Sequence, residues 1–148
     1  LKEAQELGYA VQEIKSKDLT GDYFPSLFQE NIIKQYEVRV FVLRDRFFGI
    51  GMYLPFSSNQ SIDFRNNVES LRYFKIDLPQ IVKLRTIEFM SKMGINTGSF
   101  DFVVNENNDY LFLEVNPTGQ FDWVSLYGQF NIEKEIALVL KSEYEKRI

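Results

Sequence analysis

The sequence predicts an α+β fold, an antiparallel β-sheet with flanking helices, and three observations carry that expectation. Two pairs of β-rich segments, one spanning 37–54 and one spanning 99–116, are each joined by a short polar turn, which is the pattern of a hairpin. Two further segments, opening at Leu78-Pro79 and at Asn131, carry apolar residues at helical spacing. With 148 residues, 45% of them apolar and 16% aromatic, the chain has material for one compact core and the length of one domain.

In chain order, Leu1 to Tyr23 alternates poorly and ends in the turn-formers Thr20-Gly21-Asp22 ahead of Pro25. Residues 1–23 are therefore read as a lead-in, continuing from a missing N-terminal part, and 24–148 as the folded unit. A start at Leu1 without an initiator Met is what a fragment of a longer protein would show. Glu37 to Leu43 is the first strand, Arg44-Asp45-Arg46 the turn, and Phe47 to Leu54 the second strand. Pro55 to Gln60 reads as a polar loop, Ser61 to Arg65 as a short alternating segment, and Asn66 to Asp77 as irregular. Pro79 suits a first helical turn; Val82, Thr86, Phe89, Met90 and Met93 form one face, and Gly94 supplies a C-terminal cap. Ser99 to Asn105 and Tyr110 to Asn116 are strands joined by Glu106-Asn107-Asn108-Asp109. A last helix has Asn131 as N-cap, with Ile132, Ile136, Val139 and Leu140 on its apolar stripe.

Composition narrows the chemistry. A formal charge of −4, with Lys and Arg scattered singly among the acids, leaves no basic stripe for a phosphate backbone, so nucleic acid is not an expected partner. The absence of Cys and His removes thiol nucleophiles, disulfides and the usual general base. No apolar run approaches the roughly 20 residues that span a bilayer, and no signal sequence is recognisable. A cytoplasmic protein without a membrane partner is expected.

The second hairpin holds the informative spacing. A four-residue turn between Asn107 and Asn108 pairs Asn105 with Tyr110 and Asp101 with Glu114. By alternation, Asp101, Val103 and Asn105 then share a face with Tyr110, Phe112, Glu114 and Asn116, and Phe102, Val104, Leu111, Leu113 and Val115 form the buried face. Like charges directly opposed across a hairpin repel. A divalent cation between Asp101 and Glu114 would remove that repulsion, and Asn116 could add a third hard oxygen, a set suited to Mg²⁺ with substrate phosphates. The other reading is an acid pair in water beside Lys or Arg. Arg39, inside an apolar strand on the face of Glu37 and Phe41, is either paired with Glu37 or aimed at an anion. Arg65 in Ile62-Asp63-Phe64-Arg65 has the same two readings, with Asp63 as the structural partner.

Three stretches in order resemble the ATP-grasp superfamily: Phe28-Gln29-Glu30-Asn31-Ile32, Tyr36-Glu37-Val38-Arg39-Val40-Phe41, and Gly98-Ser99-Phe100-Asp101-Phe102 followed by Phe112-Leu113-Glu114-Val115-Asn116-Pro117. The resemblance implies that Gln29, Glu30, Asn31 and Ile32 form the hinge that holds adenine and that Glu37 meets the ribose. It implies that Arg39 and Arg65 face the phosphates and that Asp101, Glu114 and Asn116 bind the metal. The fold expected is then the C-terminal ATP-grasp subdomain. Within the superfamily, Pro25-Ser26-Leu27-Phe28-Gln29-Glu30, Asp63-Phe64-Arg65, Asn96-Thr97-Gly98-Ser99 and Asn116-Pro117-Thr118-Gly119-Gln120-Phe121 are most similar to peptide maturases of the grasp-with-SPASM type, a branch of the graspetide synthetases. Enzymes that add glutamate to a ribosomal protein share the metal triad and the arginines.

The resemblance implies an ATP-dependent ligase with ATP and Mg²⁺ as cofactors, Mn²⁺ as an alternative metal, and a ribosomally made precursor peptide as partner. ATP would phosphorylate a substrate carboxylate, and a hydroxyl or amine would attack the acyl phosphate to give an ester or amide cross-link. The rival is a non-catalytic module that docks a peptide through the sheet and the aromatic-rich Gln120 to Phe130 stretch. Nothing in the chain matches the family's N-terminal domain or the subdomain with a glycine-rich loop and lysines, so the fragment alone is expected to be inactive. Apolar surface meant for that missing part is expected to favour a dimer without physiological meaning. Gly119 to Ser125 is read as either a substrate-side loop or a structural loop packing Phe121 and Trp123.

Overall fold

The computed structural model describes residues 32–55 and 70–147. Its elements are β1 (Lys34–Leu43), β2 (Arg46–Tyr53), β3 (Arg72–Ile76), α1 (Gln80–Met93), β4 (Thr97–Asn105), β5 (Tyr110–Asn116), α2 (Asp122–Gly128) and α3 (Ile132–Glu145). The strands form one sheet in the order β3-β2-β1-β4-β5, every pairing antiparallel. The expected α+β architecture is therefore present.

Alternation along β1 sends two apolar sets to opposite faces. Val38, Val40 and Val42 join Phe100, Phe102 and Val104 of β4 and pack under Leu78 and under Met90 of α1. Phe41 and Leu43 join Ile50 and pack against Val124 of α2 and Ile132 of α3. The central strand is thus buried on both faces, as a strand between two helical layers must be.

The helix at Pro79 starts and stops as its residues predict. Pro79 precedes the first turn and Gly94 closes the helix at φ 66°, its N–H bonding to Met90 and Ser91 carbonyls. Thr86 and Met90 are its buried residues. Met93, expected on that face, is exposed, as is Leu140 on the stripe expected for the last helix. Asn131 precedes α3, but its side chain makes no capping hydrogen bond.

Three elements differ from expectation. Arg72–Ile76, read as irregular, is the edge strand β3, where alternation with charged residues suits one open side. Asp122–Gly128, which begins inside the stretch Gly119 to Ser125 read as loop, is α2, seven residues held by packing of Val124 rather than by periodicity. Arg46 belongs to β2, leaving a two-residue turn in which Arg44 takes φ 59°. The segments Leu1 to Tyr23 and Ser61 to Arg65 lie outside the described residues.

The β1–β2 turn is tied to α3 by Arg44, whose Nη2 lies 2.7 Å from Glu143 Oε1, and Lys146 joins the same oxygen at 3.0 Å. Hydrogen bonds from Arg44 and Lys146 hold the Glu143 carboxyl well below its ordinary range, at about 2. A carboxyl with a depressed folded pKa contributes stability that is present above its unfolded pKa, about 4.3, and is lost as pH falls through the folded value. The stability gap between the parent and Glu143→Gln should therefore be present at neutral pH and shrink below about pH 4. Urea unfolding at several pH values checks this, and a gap constant across the acid range would contradict it.

Candidate active site

On the α2–α3 face Phe41, Leu43 and Ile50 form an apolar cluster, and the buried Glu37 and Asp101 lie on the same face of the sheet. Register lines up one residue from each strand across that face: Lys75, Ile50, Arg39, Asp101 and Glu114. The next row contains Tyr73, Met52, Glu37, Val103 and Leu111. Of the predicted residues, the sheet therefore gathers Glu37, Arg39, Asp101 and Glu114, with Asn116 in the row on the other side of Arg39 from Glu37, opposite Ser99. Ile32 lies just ahead of β1 and is half-buried. Gln29, Glu30, Asn31 and Arg65 lie outside the described residues.

Asp101 faces Glu114 as the turn arithmetic predicts, but the same arithmetic fails nearer the turn. The turn closes one residue shorter than predicted, with Asn105 bonded to Asp109, so Val104 pairs with Tyr110 and Phe102 with Phe112, and a bulge between Asp101 and Phe102 then leaves Leu113 as an extra residue. Tyr110 and Phe112 are thereby turned to the α1 face, where Phe112 meets Phe89 and Tyr110 meets Phe102. Both were expected beside Asp101, and neither is there. The acid pair still faces as predicted because the extra residue at the bulge offsets the one-residue difference at the turn.

Arg39 is paired with Asp101 and not with Glu37. Its Nε donates to Asp101 Oδ1 at 2.7 Å and its Nη2 to Oδ2 at 2.6 Å, the two-pronged geometry of a strong guanidinium–carboxylate pair. Direct cross-strand neighbours stand about 4.5–5.5 Å apart at Cβ, whereas residues two apart on a strand are separated by about 6–7 Å, so Asp101 is the nearer partner. Glu37 is ion-paired with Lys34 instead. Burial would lower the Arg39 pKa, but the hydrogen bonds and charge of Asp101, then the charges of Glu114 and Glu37, carry it above its ordinary value. Three carboxylates thus surround one guanidinium.

The residues fit a divalent cation in part. Asp101 is buried, Glu114 is exposed, and among the described residues no cation comes within ion-pairing distance of Glu114. Each Asp101 oxygen uses one lone pair on Arg39 and keeps another. Asn116 is less available, because its Oδ1 accepts from Thr118 N at 3.0 Å and from Thr118 Oγ1 at 3.2 Å. Among the described residues no three His, Cys, Asp or Glu side chains form a metal cage. The loop that follows Asn116 is closely seated, since a Cβ on Gly119 would lie 2.5 Å from that of Ser99.

One contributor was missed. Trp123 lies 5.1 Å from the Arg39 guanidinium, measured to its ring centre, and brings α2 to the edge of the site. The only available signal was its place seven residues after Asn116, in a stretch too short for helical periodicity to show. No helix among the described residues is long and apolar enough to cross a membrane.

No protein-family model matches this sequence, and neither does any curated protein. Solved structures do match. The macrocyclase MdnC of Microcystis aeruginosa MRC, solved with its precursor peptide MdnA, is 32% identical over 77% of this chain and 35% of its own, with a TM-score of 0.64. An ATP-grasp ligase of Chryseobacterium gregarium associated with ribosomally made peptides, solved with ADP and a leader and core peptide, is 25% identical over 78% of this chain and 35% of its own, with a TM-score of 0.62. The ATP-grasp ligase PsnB, solved with a minimal precursor, Mg and ADP, covers 77% of this chain and 34% of its own at 16% identity and a TM-score of 0.61, a likeness of fold alone. The chain spans about a third of the length of these proteins. It is related, in fold and over that third of their length, to the ATP-grasp ligases that accompany ribosomally made peptides.

Proposed function

We propose that this chain is the nucleotide- and metal-binding part of an ATP-dependent ligase that cross-links side chains in a ribosomally made precursor peptide. The observation that carries the reading is the cross-strand pair of Asp101 and Glu114 beside Arg39, on one face of the sheet. The relatedness to MdnC and to the Chryseobacterium ligase, one solved with a precursor peptide and the other with ADP and peptide, supports the same reading.

In this mechanism Asp101 and Glu114 would hold Mg²⁺, which would supply positive charge against the phosphates of a nucleotide. Asn116 would join them through an amide oxygen released from Thr118. Arg39 presents a planar fork to an anion and offsets charge on a transferring phosphoryl group. Glu37, on the neighbouring row, would accept hydrogen bonds from a ribose, and Arg65 and the segment Gln29 to Ile32 complete the proposed nucleotide contacts. No side-chain nucleophile is needed, because activation of a carboxylate as an acyl phosphate leaves the attack to the peptide's own hydroxyl or amine. This third of the ligase on its own binds without turning over, since positioning of both phosphate and peptide demands contacts from the remaining two thirds.

The test is equilibrium binding of ADP to the chain with and without Mg²⁺. Binding that requires the metal is the expected result. Absence of binding, or binding indifferent to Mg²⁺, would overturn the proposal and favour a peptide-docking module.

A further inference from the structure

Trp123 is the chain's single tryptophan and sits in the first turn of α2, half-buried beside Arg39. The guanidinium is gripped twice, by both oxygens of Asp101 and by the indole ring 5.1 Å from its central carbon. The indole is in turn braced: Tyr73 of β3 meets it edge-on at 6.3 Å and 68°, and Tyr127 stacks on Tyr73 at 3.9 Å and 8°. Rings from two elements thus run from the sheet edge to the site and end on Arg39.

An arginine that engages a ligand must first give up the freedom of its long side chain. Holding it in advance removes that loss from binding. Asp101 alone fixes the fork in the plane of its two hydrogen bonds, but the side chain can still pivot about the carboxylate. An aromatic face against the guanidinium stops that pivot and adds a cation–π attraction.

We propose that Trp123 is a positioning residue for Arg39, fixing the guanidinium so that it meets an anionic ligand in one orientation. The identity of that ligand as a nucleotide phosphate rests on the function proposed above; the pairing of the two side chains does not. Trp123 touches no reacting atom and acts only through Arg39.

A double-mutant cycle in ADP affinity, at saturating Mg²⁺, tests this. Trp123→Leu should weaken ADP about 3- to 10-fold in the parent and have no effect beyond twofold when Arg39→Met is present. Trp123→Phe, which keeps a weaker ring face, should recover most of the loss. Equal losses from Trp123→Leu in both backgrounds would show a merely structural role and overturn the proposal. Should Arg39→Met fail to fold, Arg39→Gln completes the same cycle, since it keeps an amide donor for Asp101 and loses the cation that faces Trp123. If the parent binds no ADP, the nucleotide reading fails on its own, and the cycle is read by urea unfolding instead. Non-additive losses there uphold the fixing of Arg39 by Trp123, and additive losses reject it.

Discussion

Glu114→Gln is expected to weaken Mg²⁺-dependent ADP binding by about 100-fold or more, because losing even an outer supporting partner typically costs 10- to 100-fold in metal affinity and Glu114 would be a ligand itself. The substitution is well suited to isolate function. Glu114 is exposed, and no cation among the described residues pairs with it, so the change leaves no buried partner behind. Removing one of two facing carboxylates also relieves their repulsion, and folding stability should stay within about 0.5 kcal/mol of the parent. Asp101→Asn behaves differently: it removes the charge facing a largely buried Arg39 and replaces one of its two acceptors with a donor, at a cost of about 1–3 kcal/mol. Its effect on ADP binding must be read alongside its urea unfolding curve. Isothermal titration of both variants with Mg²⁺ and ADP decides the matter. Parent-like affinity in Glu114→Gln would make the acid pair structural and sink the metal reading.

What sequence reveals here divides along local and non-local lines. The β4–β5 hairpin and α1, with its proline entry and glycine exit, follow from residues within one or two turns of each other. The bulge does not, because Phe112 and Leu113 are both apolar and either could fill the buried face; a pattern of period two cannot locate an extra residue between two equivalent neighbours. Helix α2 escapes for a related reason: seven residues give no periodicity, and its existence depends on Val124 packing against the sheet.

The site shows the same division. Arg39 stands out in sequence as a charge within an apolar strand, but its partner depends on β1 lying next to β4, and no hairpin joins those strands. Glu37, close in sequence, offered the obvious pairing, yet Lys34 takes it. Trp123 reaches Arg39 only because α2 folds back over the sheet. The resemblance to ATP-grasp enzymes supplied the grouping of Arg39 with Asp101 and Glu114 that residue spacing alone could not, and the row across the sheet gives that grouping a geometric basis.

The stability of that row should depend on the layer beneath it, and Phe100→Ala is the sharpest probe. Phe100 is 1% exposed, lies between Val40 and Val115 in the sheet, and meets Phe89 of α1 edge-on at 6.0 Å and 81°. It also packs beside Phe102 and Phe112, with ring centres 6.5 and 6.2 Å away. Truncating a fully buried phenylalanine costs about 3–5 kcal/mol, a large share of the roughly 5–15 kcal/mol that holds a domain together. Phe112→Ala is the matched comparison, because Phe112 is 47% exposed and borders a groove of about 400 Å³ between α1 and β5. Its truncation widens space that is already open and should cost about 1 kcal/mol. Urea curves should show a much lower midpoint for Phe100→Ala at an unchanged slope. Asp101 follows Phe100 on β4 and points to the opposite face, so ADP affinity in the variant should fall in step with the folded fraction and not ahead of it. A Phe100→Ala protein no less stable than Phe112→Ala would mean that the layer under α1 is not the core that carries the site.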